Sequence, residues 1–247
     1  RSSRHTVNMN ATSDLLAVLV DADNVPPSRM GAVLAEVASF GTASVKRVYG
    51  DWTTTQLNSW KAAASEHVIQ PMQQFAHTKG KNSTDSALII DAMDLLYTGR
   101  FQGFCIVSSD SDFTRLASRI REQGITVYGF GERKTPASFR NACDQFTYLD
   151  VLGNADRDAV VAGSTPAVPA ISPRDDARLI DGLRNSVSTA SSEDGWAHLS
   201  SVGVLLRKWQ PDFDSRNWGY PKLSELVRAT GKFTVEGHRV RVEADSR

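Results

Sequence analysis

Between Leu15 and Asp150 the chain alternates short apolar runs with segments of helical period. LLAVLV, from Leu15 to Val20, is continuously apolar, the pattern of a strand covered on both faces. In the segment PPSRMGAVLAEVASFG that follows, Met30, Val33, Leu34 and Val37 recur at helical spacing, with prolines at the start and Gly41 past the end. ASVKRVYG predicts a second strand, TTTQLNSWKAAASE a second helix and HVIQPM a third, poorer strand. STDSALIIDAMDLLYTG predicts a long helix closed by Gly99, and FCIVSS a fourth strand bounded by Asp110. SDFTRLASRIREQG sets Phe113, Leu116, Ala117 and Ile120 on one helical face; ITVYGFG, PASFRNACDQ and FTYLD then predict strand, short helix and strand. Such alternation implies right-handed strand–helix–strand units, and hence an α/β fold with a mostly parallel sheet.

Residues 153–174 change character. Small residues and three prolines dominate GNADRDAVVAGSTPAVPAISPR, the composition of an extended linker. Beyond it, DDARLIDGLRNSVSTA, LSSVGVLLRKWQ and PKLSELVRATG read as helices, and KFTVEGHRVRVE as a hairpin turning at Glu236-Gly237. Three helices followed by a hairpin is the layout of a small winged-helix domain. The expected organisation is a flexible start at 1–13, an α/β domain at 14–152, a linker at 153–174 and the winged helix at 175–247.

Composition narrows the function classes. The chain has 28 Lys or Arg against 28 Asp or Glu, so any binding to nucleic acid needs a local patch rather than bulk charge. No window approaches the roughly 18 apolar residues of a membrane span. The opening RSSRHTVNMN has no apolar signal core behind it, so no secretory peptide is expected. Cys105 and Cys143 are the only cysteines; Cys105 lies in an apolar run and reads as a core thiol, consistent with a reducing cytoplasm.

The candidate chemistry is acidic. Open parallel sheets bind ligands at the carboxyl ends of their strands. Asp21 and Asp23 end the first strand in VLVDADN, Asp110 and Asp112 follow the fourth in IVSSDSDF, and Asp85 opens the long helix between them. With Asp85 set to 0°, Leu88, Ile89, Ala92, Leu95 and Leu96 point to about 300°, 40°, 340°, 280° and 20°. Its carboxylate therefore lies in the apolar stripe, whereas Asp91 and Asp94 fall near about 240° and 180°, on the flank and the wet side. Each acid alone has an ordinary explanation, as a helix cap for Asp85 or Asp112 and as turn residues for Asp23-Asn24. Their joint placement on one edge is harder to explain that way, because clustered carboxylates repel unless a cation holds them. Oxygen ligands without His or Cys suit Mg²⁺ or Mn²⁺.

Four blocks in order carry a family resemblance: Asp21 to Asn24 after an apolar strand, Lys81 to Asp85, Ser109-Asp110-Ser111-Asp112-Phe113, and GITVYGFGERKTPASFRNACDQFTYL from Gly124. Together they resemble the NYN domain family, the PIN-like nucleases, over about residues 14–150. The resemblance implies a Rossmann-like α/β/α sandwich and metal-dependent RNA cleavage. Carried over, the catalytic and metal-binding acids are Asp21, Asp85, Asp110 and Asp112, with Asn24, Asp23 and Ser109 supporting. Ser109 departs from the family, where a glycine is common, and adds a side chain beside the site. In the second domain, Trp218, Gly219, Tyr220, Leu223, Leu226 and the hairpin Lys232 to Val242 resemble a LOTUS, or OST-HTH, domain, a winged helix of RNA-associated proteins.

Lys79, Lys81, Arg133, Lys134 and Arg140 fall on the strand-end edge and are candidates for the phosphates around a scissile bond. Arg239 and Arg241 alternate with Val240 and Val242, so both share one face of the wing. Trp196, Trp209, Trp218 and Tyr220 read as core of a small domain rather than base-stacking platforms. The expected function is an endoribonuclease dependent on Mg²⁺ or Mn²⁺, with RNA as partner. The winged helix is also a candidate surface for proteins, and self-association stays open. Two alternatives remain: a catalytically silent RNA-binding adaptor, and a haloacid-dehalogenase-type phosphatase using Asp21 of LVDADNV as nucleophile.

Overall fold

The structure is a computed structural model and describes residues 13–73, 83–153 and 172–243. Lys79, Lys81 and most of the segment read as a linker lie outside the described residues. The first domain has strands β1 (Leu15–Asp21), β2 (Thr42–Gly50), β3 (Gln70–Gln73), β4 (Gly103–Val107), β5 (Thr126–Gly131) and β6 (Gln145–Tyr148). Its helices are α1 (Met30–Val37), α2 (Asn58–Glu66), α3 (Ser83–Tyr97), α4 (Thr114–Glu122) and α5 (Ala137–Ala142). The six strands form one sheet in the order β3-β2-β1-β4-β5-β6, every pair parallel.

Strand parity assigns the layers. Leu16, Val18 and Val20 of β1 pack with Val33 and Val37 of α1 and Trp60 of α2. Ala17 and Leu19 pack on the other face with Leu88 and Ala92 of α3 and Leu116 and Ile120 of α4. Both faces are covered, which is why β1 and β4 are apolar without alternation. The result is an α/β/α sandwich. Each fully buried Leu or Val contributes about 1.5–3 kcal/mol by leaving water, so the two faces of β1 anchor the whole sheet. Cys105 and Cys143 are buried free thiols whose titration is pushed up by burial, as expected of core cysteines.

Element ends shift slightly from the sequence pattern. The prolines open a short 3-10 turn, Pro27–Arg29, before α1, which stops at Val37 rather than running to Gly41. The third strand begins at Gln70, because Val68 takes a φ of 52° and breaks the extended run.

The second domain has α6 (Ala177–Ala190), β7 (Ala197–His198), α7 (Leu199–Trp209), α8 (Leu223–Thr230), β8 (Phe233–Glu236) and β9 (Arg239–Val242). The hairpin pairs Glu236 with Arg239, and β7 adds a third strand against β9 that the sequence pattern did not show. Asp176 caps α6 by accepting from the Leu179 N–H, and Gly231 ends α8 at a φ of 63°, where an L side chain is strained. The core of Leu183, Val202, Leu206, Leu226 and Val240 is its own and shares no residue with those of the first domain. Trp218 and Tyr220 pack against it as expected. Trp209 does not: it is 59% exposed, a correction to its reading as core.

The two domains touch through polar contacts. The Phe146 N–H on β6 donates to the Pro211 carbonyl at 2.7 Å. Arg216 reaches Glu36 of α1 with two bonds of 2.7 and 2.9 Å, while also holding Asp214. Arg140 pairs with Asp212, to which the Tyr148 hydroxyl donates at 2.9 Å.

Candidate metal centre at the carboxyl edge of the sheet

Chain order reverses between β1 and β4, so the loops leaving these neighbouring strands diverge and open a crevice at their carboxyl ends. Asp21 is the last residue of β1 and has the parity of Ala17 and Leu19, so it points to the α3 face. It is only 1% exposed. The Asn24 amide and the Ser108 hydroxyl donate to its Oδ2 at 2.6 and 2.8 Å, and the Asp23 N–H donates to Oδ1 at 3.2 Å. Burial raises its pKa and these three hydrogen bonds pull it back. Asn24 and Asp23 thus hold the Asp21 carboxylate in place.

Asp110 follows β4 and caps the turn Ser111–Phe113 by accepting from the Asp112 N–H at 2.9 Å. The cap and the cluster are therefore the same carboxylate. Asp85 stands in the first turn of α3, whose buried face carries Leu88, Ala92 and Leu96, while Asp94 is exposed as the helical arithmetic requires. Ligand oxygens of Asp85, Asp110 and Asp112 all lie within 4.8 Å of one another. The structure brings these three of the four expected ligands together, with Asp21 behind them and held by its own partners.

The electrostatics record the crowding. Asp85 is pushed up from 3.8 to about 6, first by burial and then by the charges of Asp21, Asp110, Asp112 and Asp23. The donor set is oxygen alone, which fits a hard divalent cation.

Two residues that sequence reasoning missed, Ser108 and Asp91, hold this arrangement. Ser108 is fully buried; its hydroxyl donates to Asp21 and accepts from the Asp110 N–H at 3.1 Å, tying the ends of β1 and β4 together. The first serine of IVSSDSDF was its only signal. Ser109, the departure from the family pattern, accepts from the Glu132 N–H at 2.9 Å and so stitches the β4 loop to the β5 loop. Gly131 is required beside them, since a Cβ there would stand 2.6 Å from the Ser108 carbonyl oxygen. Asp91, set on the flank by helical arithmetic, is clamped to β2 by Arg47 and the Tyr49 hydroxyl, which fixes α3 and with it Asp85.

The candidate phosphate-binding cations divide. Arg133 is exposed, pairs with Asp150 at 2.9 Å and stacks over Tyr148 with its guanidinium carbon 4.2 Å from the ring centre. Lys134 pairs with Glu132 at 2.9 Å. Arg140 is half-buried in its pair with Asp212, so it joins the domains before it meets any ligand. On the wing, Arg239 and Arg241 are both exposed and share one face, their guanidinium carbons 5.3 and 4.8 Å from the Trp196 ring centre. Arg239 also approaches Asp194 at 3.4 Å.

The NYN domain family model matches residues 15–150, and the OST-HTH/LOTUS domain model matches residues 172–242. No curated protein matches. A Vibrio parahaemolyticus protein described as of unknown function is 17% identical at a TM-score of 0.47, over 56% of this chain and 94% of that one. An uncharacterized protein of Nitrosomonas europaea is 29% identical at a TM-score of 0.28, over 39% of this chain and 96% of that one.

Proposed function

Since this chain belongs to the NYN domain family and carries an OST-HTH/LOTUS domain behind its NYN domain, we propose that it is an endoribonuclease dependent on Mg²⁺ or Mn²⁺. The observation that carries the reading is the approach of the Asp85, Asp110 and Asp112 oxygens to within 4.8 Å of one another at the switch point of the sheet. Like charges this close are held apart in free energy unless a cation neutralises them. A divalent cation there would polarise a phosphodiester oxygen and lower the pKa of an attacking water. Asp85, Asp110 and Asp112 are assigned as its ligands. Asp21, whose oxygens are engaged by Asn24, Ser108 and Asp23, adds charge behind them and fixes the loop.

The wing supplies RNA binding in this proposal. Arg239 and Arg241 offer two charges on one strand face, enough for weak, salt-sensitive phosphate contact. Lys79 and Lys81, which precede Asp85 in the chain, remain candidates for the same role. The phosphatase alternative loses ground, because its nucleophile would be Asp21, which is 1% exposed and accepts three hydrogen bonds.

The test is cleavage of end-labelled single-stranded RNA and DNA with Mn²⁺, Mg²⁺ or EDTA. RNA should be cut internally with metal and left intact in EDTA. An intact RNA ladder under every metal would refute the enzyme reading and favour the silent adaptor.

A further inference from the structure

A cavity of about 320 Å³ opens where the domains meet. Arg133 and Tyr148 line it from the NYN domain; Arg178, Gln210, Asn217 and Trp218 line it from the LOTUS domain. The size falls at the lower end of the range for small-ligand pockets, roughly 300–1,000 Å³, which suits a single nucleotide. Its arginines outnumber its aspartates three to two, and the aspartates are already engaged. Asp212 is held by Arg140 and Tyr148; Asp176 accepts from the Leu179 N–H and the Trp218 indole. Arg178 is exposed and its side chain makes no ion pair or hydrogen bond among the described residues.

The cavity is joined to the carboxylate cluster. Asp110 follows Ser109, Ser109 accepts from the Glu132 N–H, and Arg133 is the next residue. Parallel strands lie about 4.8 Å apart, so the ends of β4 and β6 are separated by about 10 Å along the carboxyl edge. One extended strand of nucleic acid would touch both places. The groups present suit a nucleotide: a free cation for phosphate, the flat guanidinium of Arg133 against a base, and the amide of Gln210 for a base edge.

We propose that this interdomain seam is a second RNA site, which takes one nucleotide of a single strand while the adjoining phosphates lie over the carboxylate cluster. The proposal rests on the ribonuclease reading for its substrate class. It makes the docking of the LOTUS domain part of the substrate path, since neither domain alone forms the cavity. A single strand is required, because a base can enter a cleft only when it is splayed from its neighbours.

The test uses the full chain, fluorescently labelled single-stranded RNA and anisotropy in EDTA, so that binding is read without cleavage. Arg178→Gln should weaken binding by roughly fivefold to tenfold, the worth of one charge-assisted contact, and lower the salt slope by about one. Arg178→Glu should weaken it further. RNA carrying 4-thiouridine should cross-link to the peptides containing Tyr148 or Trp218. Equal binding by wild type and both variants, or cross-links confined to the wing, would overturn the cleft. Binding that depends on Arg178 without any metal-dependent cleavage would keep the cleft and overturn the nuclease reading. A wild-type chain that binds no RNA at low salt would overturn both.

Discussion

Asp85→Asn separates the charge at this site from its role in the fold. Asp85 titrates near 6 instead of 3.8 because burial and four neighbouring acids oppose its charge. That displacement corresponds to about 3 kcal/mol against the ionised form. The side chain is partly exposed, so solvent screening reduces the figure to about 1–1.5 kcal/mol. The folded pKa lies above the unfolded one, so the penalty is nearly absent below about pH 4, builds between the two values and is complete above about pH 6. Asparagine removes it. In EDTA at pH 7.5 the variant should melt about 2–6 °C higher than the wild type, and at pH 4 the two should melt together. Manganese at a hundred times its Kd should stabilise the wild type by about 2.7 kcal/mol and the variant far less. Cleavage should fall at least ~100-fold, the scale of preorganised charge stabilisation. Differential scanning calorimetry across pH, with and without Mn²⁺, makes the measurement. A variant that melts lower than wild type in EDTA at pH 7.5, or gains as much from Mn²⁺, would refute the reasoning.

Asp110→Asn should abolish cleavage and keep the melting temperature, because asparagine still caps Ser111–Phe113, whereas Asp110→Ala should also lose about 1 kcal/mol; equal melting of the two would show that the cap contributes nothing. Asp91→Asn should cost about 2–3 kcal/mol in urea unfolding, since it leaves Arg47 half-buried without its counter-charge; unchanged stability would dismiss the clamp on α3. Replacing Arg239 and Arg241 by Gln should lower the slope of log affinity against log salt for RNA by about two, and an unchanged slope would remove the wing from the binding surface. A generic aryl phosphate should not be hydrolysed; rapid turnover lost in Asp21→Asn and kept in Asp85→Asn would restore the phosphatase reading.

The element order was legible in the sequence because it is a local property. A strand covered on both faces must be apolar throughout, as Leu15 to Val20 is, and a helix on a sheet must repeat near 3.6, as Phe113, Leu116, Ala117 and Ile120 do. The anomaly of Asp85 was legible for the same reason, since its apolar neighbours within the helix define which way it faces. The acidic edge was legible too, because the strands of a parallel sheet share one carboxyl edge, but the adjacency of β1 and β4 came only from the fold.

Tertiary structure alone decided which polar groups meet. Ser108 bonds Asp21 across 87 positions of chain, and nothing local to the serines of IVSSDSDF tells which of them meets it. Asp91 looked like a flank residue until β2 placed Arg47 and Tyr49 beneath it. Arg140 read as a phosphate ligand, yet Asp212, in the other domain, holds it. Apolar patterning encodes burial residue by residue, but a hydrogen bond or an ion pair needs two partners, and the sequence carries no distance between them. For this chain the pattern therefore determined the layers and the acidic edge, while packing decided which acids cluster, which serine orients them and where the two domains join.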